Sequence, residues 1–253
     1  MRTAPIPHVK LSDKTYELLK EMIVRWELRP GERLIDAEIA EKFGVSRSLV
    51  RNALASLAND GLVQVFRRGF YVTDFNQKDV SDLLEFRRLL ETSSLKAAIE
   101  NTSDTEIADM EAKLAEAQAL LTAGDIETFF AFDVQTHRMI VDKGQNNYTK
   151  KVYDNLSTIL RMIIRSDFEK QSKISEAFQE HRAIFEAWKQ RDVKGALAAL
   201  NHHLSGAEKR VMENFVQSLG AVPASSIARP GSRGEPKPAP ELRLFGTFAS
   251  REN

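Results

Sequence analysis

The stretch Ile39-Ala40-Glu41-Lys42-Phe43-Gly44-Val45-Ser46-Arg47-Ser48-Leu49-Val50-Arg51-Asn52-Ala53-Leu54 decides the fold. Leu34, Ile39, Ala40 and Phe43 recur as one face of a short helix, with Asp36 as its expected cap. Gly44 ends that helix. Ser46 caps a second one, whose apolar positions are Leu49, Val50, Ala53, Leu54 and Leu57, and Asn59-Asp60-Gly61 stops it. Two apolar, β-favouring runs follow, Leu62 to Phe66 and Phe70 to Thr73. Arg67-Arg68-Gly69 lies between them as a hairpin tip, with positive φ expected at the glycine. Helix, tight corner, helix and hairpin describe a winged helix-turn-helix. Ahead of it, Tyr16, Leu19, Ile23 and Trp26 mark another helix that Arg29-Pro30-Gly31 should break.

Beyond Lys78 the pattern is helical only. Six helices are expected, at about 79–101, 104–123, 125–142, 147–168, 172–190 and 192–218, joined by short connectors as in an antiparallel bundle. The last segment, 221–253, holds five of the eight prolines and reads as a flexible tail. Its apolar run, Leu242 to Phe248, could dock on a neighbour, but the plain reading is a weakly constrained terminus. The expected fold class is therefore mainly α. Residues 1–74 form a winged helix-turn-helix, 75–220 an antiparallel bundle of about six helices, and 221–253 a Pro-rich tail.

Composition narrows the function. The 253 residues contain no cysteine, which excludes disulfide scaffolds, thiolate zinc fingers and cysteine nucleophiles, and suggests a cytoplasmic home. No run of about 18 apolar residues predicts a membrane helix, and the N-terminus lacks the apolar stretch of a secretory signal. Lys plus Arg is 36 and Asp plus Glu is 36, so the chain does not coat polyanions. Within that balance, residues 1–74 carry 12 basic and 10 acidic side chains, and residues 75–220 carry 19 and 23. A slightly basic front suits a chain whose first part alone meets an anion.

The chemistry of the front suits duplex DNA. A helix fits the major groove with its first turn toward the base edges. Arg47 and Arg51 are four apart and share one helix face. Ser48 sits near the helix start, where backbone N–H groups attract phosphate. Arg67 and Arg68 extend the basic surface at the hairpin tip. One such arginine would read as a solvated charge; four on two elements of one fold read as a DNA surface.

These residues carry a resemblance. Pro30-Gly31-Glu32-Arg33-Leu34, Gly44-Val45-Ser46-Arg47, Val50-Arg51, Ala53-Leu54, Asp60-Gly61-Leu62-Val63 and Arg68-Gly69 resemble the N-terminal signature of GntR-superfamily transcription regulators, over about residues 11–73. The resemblance implies operator contacts by Arg47 and Arg51, and matches Arg33 and the wing glycine, Gly69, to family positions. Asn52, Ala37 and Ser48-Leu49 depart from the usual pattern, which bears on the operator sequence.

The bundle holds a second constellation. Asp133 precedes His137 by four. His181 falls in the fifth bundle helix, and His202 and His203 in the sixth. Three helices can thus aim one carboxylate and two or three imidazoles at one point, a donor set for Zn²⁺, Ni²⁺, Mn²⁺ or Fe²⁺. Taken singly, each histidine reads as an ordinary surface or hydrogen-bonded residue. Ala196, Leu200, His203 and Ala207 share a stripe, which turns His203 inward and leaves His202 outside.

From Leu83 to about Leu204 the chain resembles the FCD effector domain of the FadR-type branch, with six helices closer to its VanR-like group. Glu85 to Glu91 matches the opening motif, and Phe132-Asp133 through His137, Glu180-His181-x-x-Ile184 and His203-Leu204 match the ligand motifs. The resemblance implies a divalent metal, zinc first, on Asp133, His137, His181 and His203. It also implies a small organic acid as effector beside Arg87. Arg161 and Arg165, read as lying on the fourth bundle helix, are further candidates to bind it.

The function implied is a homodimeric repressor that reads a palindromic operator and answers to that acid. It is not read as an enzyme. A metalloenzyme would need a general base at the ion, and Glu180, adjacent to His181, is expected to face away. An architectural DNA protein with a purely dimerising bundle would need no buried ligand set.

Overall fold

The computed structural model describes residues 9–66, 69–169 and 171–221, which form two compact units divided between Phe75 and Asn76. The Pro-rich tail, with Leu242 to Phe248, lies outside the described residues beyond Ala221, as do Arg67, Arg68 and His8.

The first unit contains α1 (Val9–Val24), β1 (Arg33–Leu34), α2 (Asp36–Phe43), α3 (Arg47–Asn59), β2 (Val63–Phe66) and β3 (Gly69–Val72). Helix α1 packs on α3, and Leu19 and Ile23 of the one and Val50, Leu54 and Leu57 of the other are fully buried. Gly44 adopts φ 64° at the α2–α3 corner, and its N–H returns to α2 carbonyls. That left-handed turn is cheap for glycine and costly for other residues. The Ser46 hydroxyl accepts from the Leu49 N–H and caps α3.

Four local expectations are corrected. Helix α1 ends at Val24, not at Pro30, because Trp26 turns left-handed (φ 59°) and the Leu28 N–H reaches back to Met22 O. Leu34 belongs to a strand, which pairs antiparallel with β3 to give the order β1-β3-β2. Two residues are too few to show a period. Asp36 does not cap α2. Ile35 holds the N-cap position without a side-chain bond, while the Asp36 carboxylate is taken by two arginines. Gly69 is not at positive φ. It opens β3 opposite Phe66, and a Cβ there would come within 3.0 Å of the Tyr71 ring. Close approach, not handedness, is the use of that glycine.

The second unit holds α4 (Gln77–Glu100), α5 (Asp104–Ala123), α6 (Ile126–Lys143), α7 (Asn147–Ile164), a short 3-10 helix η1 (Arg165–Glu169), α8 (Gln171–Lys189) and α9 (Val193–Ala221). Capping boxes start α4 at Asn76 and α5 at Ser103. Asp125 caps α6 and Asn146 caps α7. The apolar core centres on Leu95, Ile99, Ile140, Ile184, Trp188 and Leu200. It packs α4, α6, α8 and α9 against one another, so side chains at the same depth on these helices converge. Among the described residues, no helix is long and apolar enough to cross a membrane.

Candidate metal centre and DNA-reading surface

In the first unit, Arg47 and Arg51 stand on the exposed side of α3. Each reaches one oxygen of Asp36 at 3.0 Å. Arg51 also lies over the Phe70 ring, 5.6 Å from its centroid. The bonds from Arg51 and Arg47 hold the Asp36 carboxyl below its usual range, against a smaller cost of desolvation. The two guanidiniums are thus presented as a braced pair. Ser48 is exposed beside them, its hydroxyl 3.1 Å from that of Ser46. Arg33 is exposed on β1, opposite Tyr71.

In the second unit, Asp133 and His137 of α6, His181 of α8 and His203 of α9 come together. One donor atom from each lies within 4.8 Å of all the others, and all four residues are buried. His202 is exposed. His137 Nε2 is 3.0 Å from His203 Nε2 and 3.3 Å from His181 Nε2, and Asp133 Oδ1 is 3.3 Å from His181 Nε2.

The outer nitrogens explain this arrangement. His181 Nδ1 donates to the Ala177 carbonyl at 2.8 Å. His137 Nδ1 meets Glu91 Oε2 at 2.6 Å, and His203 Nδ1 meets Glu180 Oε2 at 2.8 Å. Acceptors on the outside place each ring's proton on Nδ1 and leave Nε2 as a lone pair facing inward. Burial lowers His181 to about 4 and holds His203 well below the usual imidazole range, so both rings are neutral. Lone pairs 3.0–3.3 Å apart repel one another unless a cation lies between them. A cation with bonds of about 2.1 Å spaces neighbouring ligand atoms by roughly 3.0–3.4 Å. The donor set therefore fits a divalent metal.

Glu180 departs from expectation. It does not face away: it is buried behind His203, and Arg210 grips both of its oxygens at 3.0 Å. Glu91 was missed altogether. It accepts from Arg87 Nε at 2.7 Å and from Tyr153 at 3.3 Å. Burial works against its charge, but Arg87 and His137 outweigh that and lower it to about 2. The signal was present in α4, where Val80, Leu84, Arg87, Glu91, Leu95 and Ala98 form one buried stripe. An Arg–Glu pair at i,i+4 on an apolar stripe belongs to an inner network, not to a solvated face.

The effector candidates are placed differently from one another. Arg87 is buried on Glu91. Arg161 is half-buried in the last turn of α7. Arg165 does not lie within that helix. It is the C-cap of α7 and the first residue of η1, where it bonds Glu127 at 2.5 Å and lies over the Phe130 ring. The backbone leaves the α-helical path for η1 four residues before the expected end of the helix.

A winged helix-turn-helix joined to a helical domain with a buried Asp-His₃ centre defines a class of DNA-binding regulators. Two family models match in that order: bacterial regulatory proteins of the gntR family over residues 11–72, and the FCD domain over 82–206. The transcriptional repressor NanR of Citrobacter rodentium is 30% identical over 230 residues, spanning 81% of this chain and 86% of NanR. The gluconate operon transcriptional repressor of Bacillus subtilis is 24% identical, over 78% of this chain and 82% of that protein. Among solved structures, E. coli McbR/YncC superposes with a TM-score of 0.69 at 20% identity, over 82% of this chain and 98% of that one. The chain belongs to the GntR family of transcription regulators, in the group that carries an FCD domain.

Proposed function

We propose that this regulator is a repressor whose hold on its operator is set by a small organic acid bound at the metal centre of the helical domain. The observation that carries the proposal is the set of three inward-facing imidazole Nε2 atoms with Asp133 beside them. Asp133, His137, His181 and His203 would hold the ion, zinc first, with nickel, manganese or iron also compatible. Four protein donors leave an octahedral ion two places for carboxylate oxygens. The bound metal supplies a Lewis-acidic anchor for an anionic ligand. Arg87 adds fixed positive charge near the site, because Glu91 and its neighbours outweigh the desolvation that opposes its ionisation. Arg161 and Arg165 are further contacts. The gluconate operon repressor makes a sugar acid the first compound to try.

At the other end of the chain, Arg47 and Arg51 read bases. Ser48 and Arg33 approach the sugar-phosphate edge, and Arg67, Arg68 and Gly69 that edge or the minor groove. One headpiece reads few base pairs, so a homodimer on a palindromic site follows, acting in the cytoplasm. The domains are 1–74 for DNA and 75–220 for effector and dimerisation, with 221–253 as a tail. Regulation is a population shift: the acid favours one arrangement of the bundle, and that arrangement changes operator affinity. Enzymatic use of the centre is disfavoured, because the carboxylates that bond its histidines from behind, Glu91 and Glu180, are committed to histidine and arginine.

The test selects an operator from random duplexes with the full chain, then measures binding while organic acids are added with and without chelator. The expected result is release by one acid class that requires metal. A His137→Ala protein that releases its operator at the wild-type acid concentration refutes the proposal.

A further inference from the structure

Two buried arginines back the metal centre, and Arg210 has no part in the function described so far. It lies on α9, seven residues after His203 on the same face, and is 3% exposed. Nη1 and Nη2 donate to the two oxygens of Glu180 at 3.0 Å each. Nε donates to both oxygens of Asp167 at 3.1 and 2.9 Å. Arg210 therefore bridges Glu180, the partner of His203 Nδ1, and Asp167 in η1. One turn further along α9, Asn214 donates to the Ser166 carbonyl at 2.8 Å, a second tie to the same segment.

The helix makes room for this bridge. A Cβ on Gly206 would stand 2.7 Å from Glu180 Oε1 and 2.9 Å from Arg210 Nη1. Both atoms end side chains that their other bonds hold in place, so neither can retreat without losing a partner. A glycine in mid-helix is unfavourable for the helix itself, and here it preserves the ion pair.

We infer that Arg210 is a positioning residue of the metal centre: through Glu180 it orients His203, and through Asp167 it couples metal occupancy to the order of residues 165–169. The inference rests on the reading of Asp133, His137, His181 and His203 as metal ligands. The physical ground is that an imidazole ligand is set by what its other nitrogen meets, and that partner is set in turn by its own bonds. The guanidinium is a rigid fork with five donors. Moving η1 must disturb Asp167, Arg210, Glu180 and His203 in turn. Arg165 stands at the start of that segment, so an acid bound there would act on His203 through the same bridge.

The experiment uses the whole 253-residue chain, stripped of metal by chelator. Zn²⁺ affinity is measured by competition with a chromophoric chelator, the ligand field by the absorption spectrum with Co²⁺, and order at 165–169 by amide hydrogen exchange. Wild type should bind both ions, and Zn²⁺ should slow exchange at 165–169. Arg210→Met should bind Zn²⁺ about ten- to a hundredfold more weakly, shift the Co²⁺ bands and abolish the protection. Arg210→Lys, which keeps the charge but not the fork, should recover part of the affinity. Gly206→Ala should weaken Zn²⁺ binding although alanine is the better helix former, and it decides the matter if Arg210→Met does not fold. Wild-type affinity and unshifted Co²⁺ bands in Arg210→Met, or in Gly206→Ala where Arg210→Met does not fold, overturn the inference while leaving the metal reading intact. Zn²⁺ binding to wild type without any change in exchange at 165–169 overturns the coupling. A wild-type chain that binds neither ion removes the metal reading and this inference with it.

Discussion

Arg47 and Arg51 are exposed, yet neither is a loose charge, because Asp36 braces both and Phe70 lies under Arg51. A pre-set guanidinium loses less freedom on meeting a base. Replacing Arg47 or Arg51 by Ala should cost about 1–3 kcal/mol of specific operator binding, with helical content unchanged. Anisotropy titrations on specific and random duplexes check this, and an Arg47→Ala protein with wild-type discrimination refutes it. The histidines allow a second test of the same kind. His137→Ala and His203→Ala should each lose the metal, read as metal content after dialysis against Zn²⁺. His202→Ala, one residue away but exposed, should keep it. A His202→Ala protein that comes through dialysis empty would falsify the ligand set.

Elements were legible where a period or a punctuating residue was long or strong enough to see. Helix α3 begins after Ser46 and ends at Asn59 because a cap and a glycine stop enclose a clear apolar stripe. Strand β1 was invisible because its two residues are held only by pairing with β3. The end of α1 was misplaced because Trp26 gives no local sign that it will turn left-handed. The corner at Gly44 permits a test on one element. Gly44→Ala meets open space, so only the φ of 64° opposes it. The cost should be about 1–2 kcal/mol. In a headpiece of this size each kcal/mol lowers the melting temperature by about 4–8 °C. The bundle transition should not move, and calorimetry separates the two.

Across the whole molecule, the ligands of the centre all belong to the second unit. Metal that binds only the folded bundle stabilises it by mass action, about 2.7 kcal/mol at a hundredfold excess over Kd. Chelation should lower the bundle's melting temperature and leave the headpiece transition in place. A chelator-insensitive bundle would count against the centre. The stripped bundle should also weaken in acid. His181 titrates at about 4 when folded and near 6.5 when unfolded, and His203 is shifted the same way, both by burial. Between those values the unfolded chain binds more protons, so stability falls as pH falls. Asp167 works in the opposite sense between 3.8 and about 6, where burial outweighs Arg210 and raises it, but it is one group against two. Melting temperatures of chelated protein should therefore drop from about pH 7.5 to about pH 5.5, and a rise would contradict buried neutral imidazoles.

The sequence by itself determined the order of a winged helix-turn-helix and six bundle helices. It also determined that Asp133 and His137 share a face and that His203, not His202, lies on the apolar stripe of its helix. Those properties are local: they depend on helical and strand periods, caps and glycines within a few residues of each other. Only the tertiary structure decided that Glu91 and Glu180 stand behind His137 and His203, and that Arg210 joins Glu180 to Asp167. Each of those contacts joins residues 23 to 46 positions apart. The depth and rotation at which helices pack select them, and no spacing within one helix encodes that.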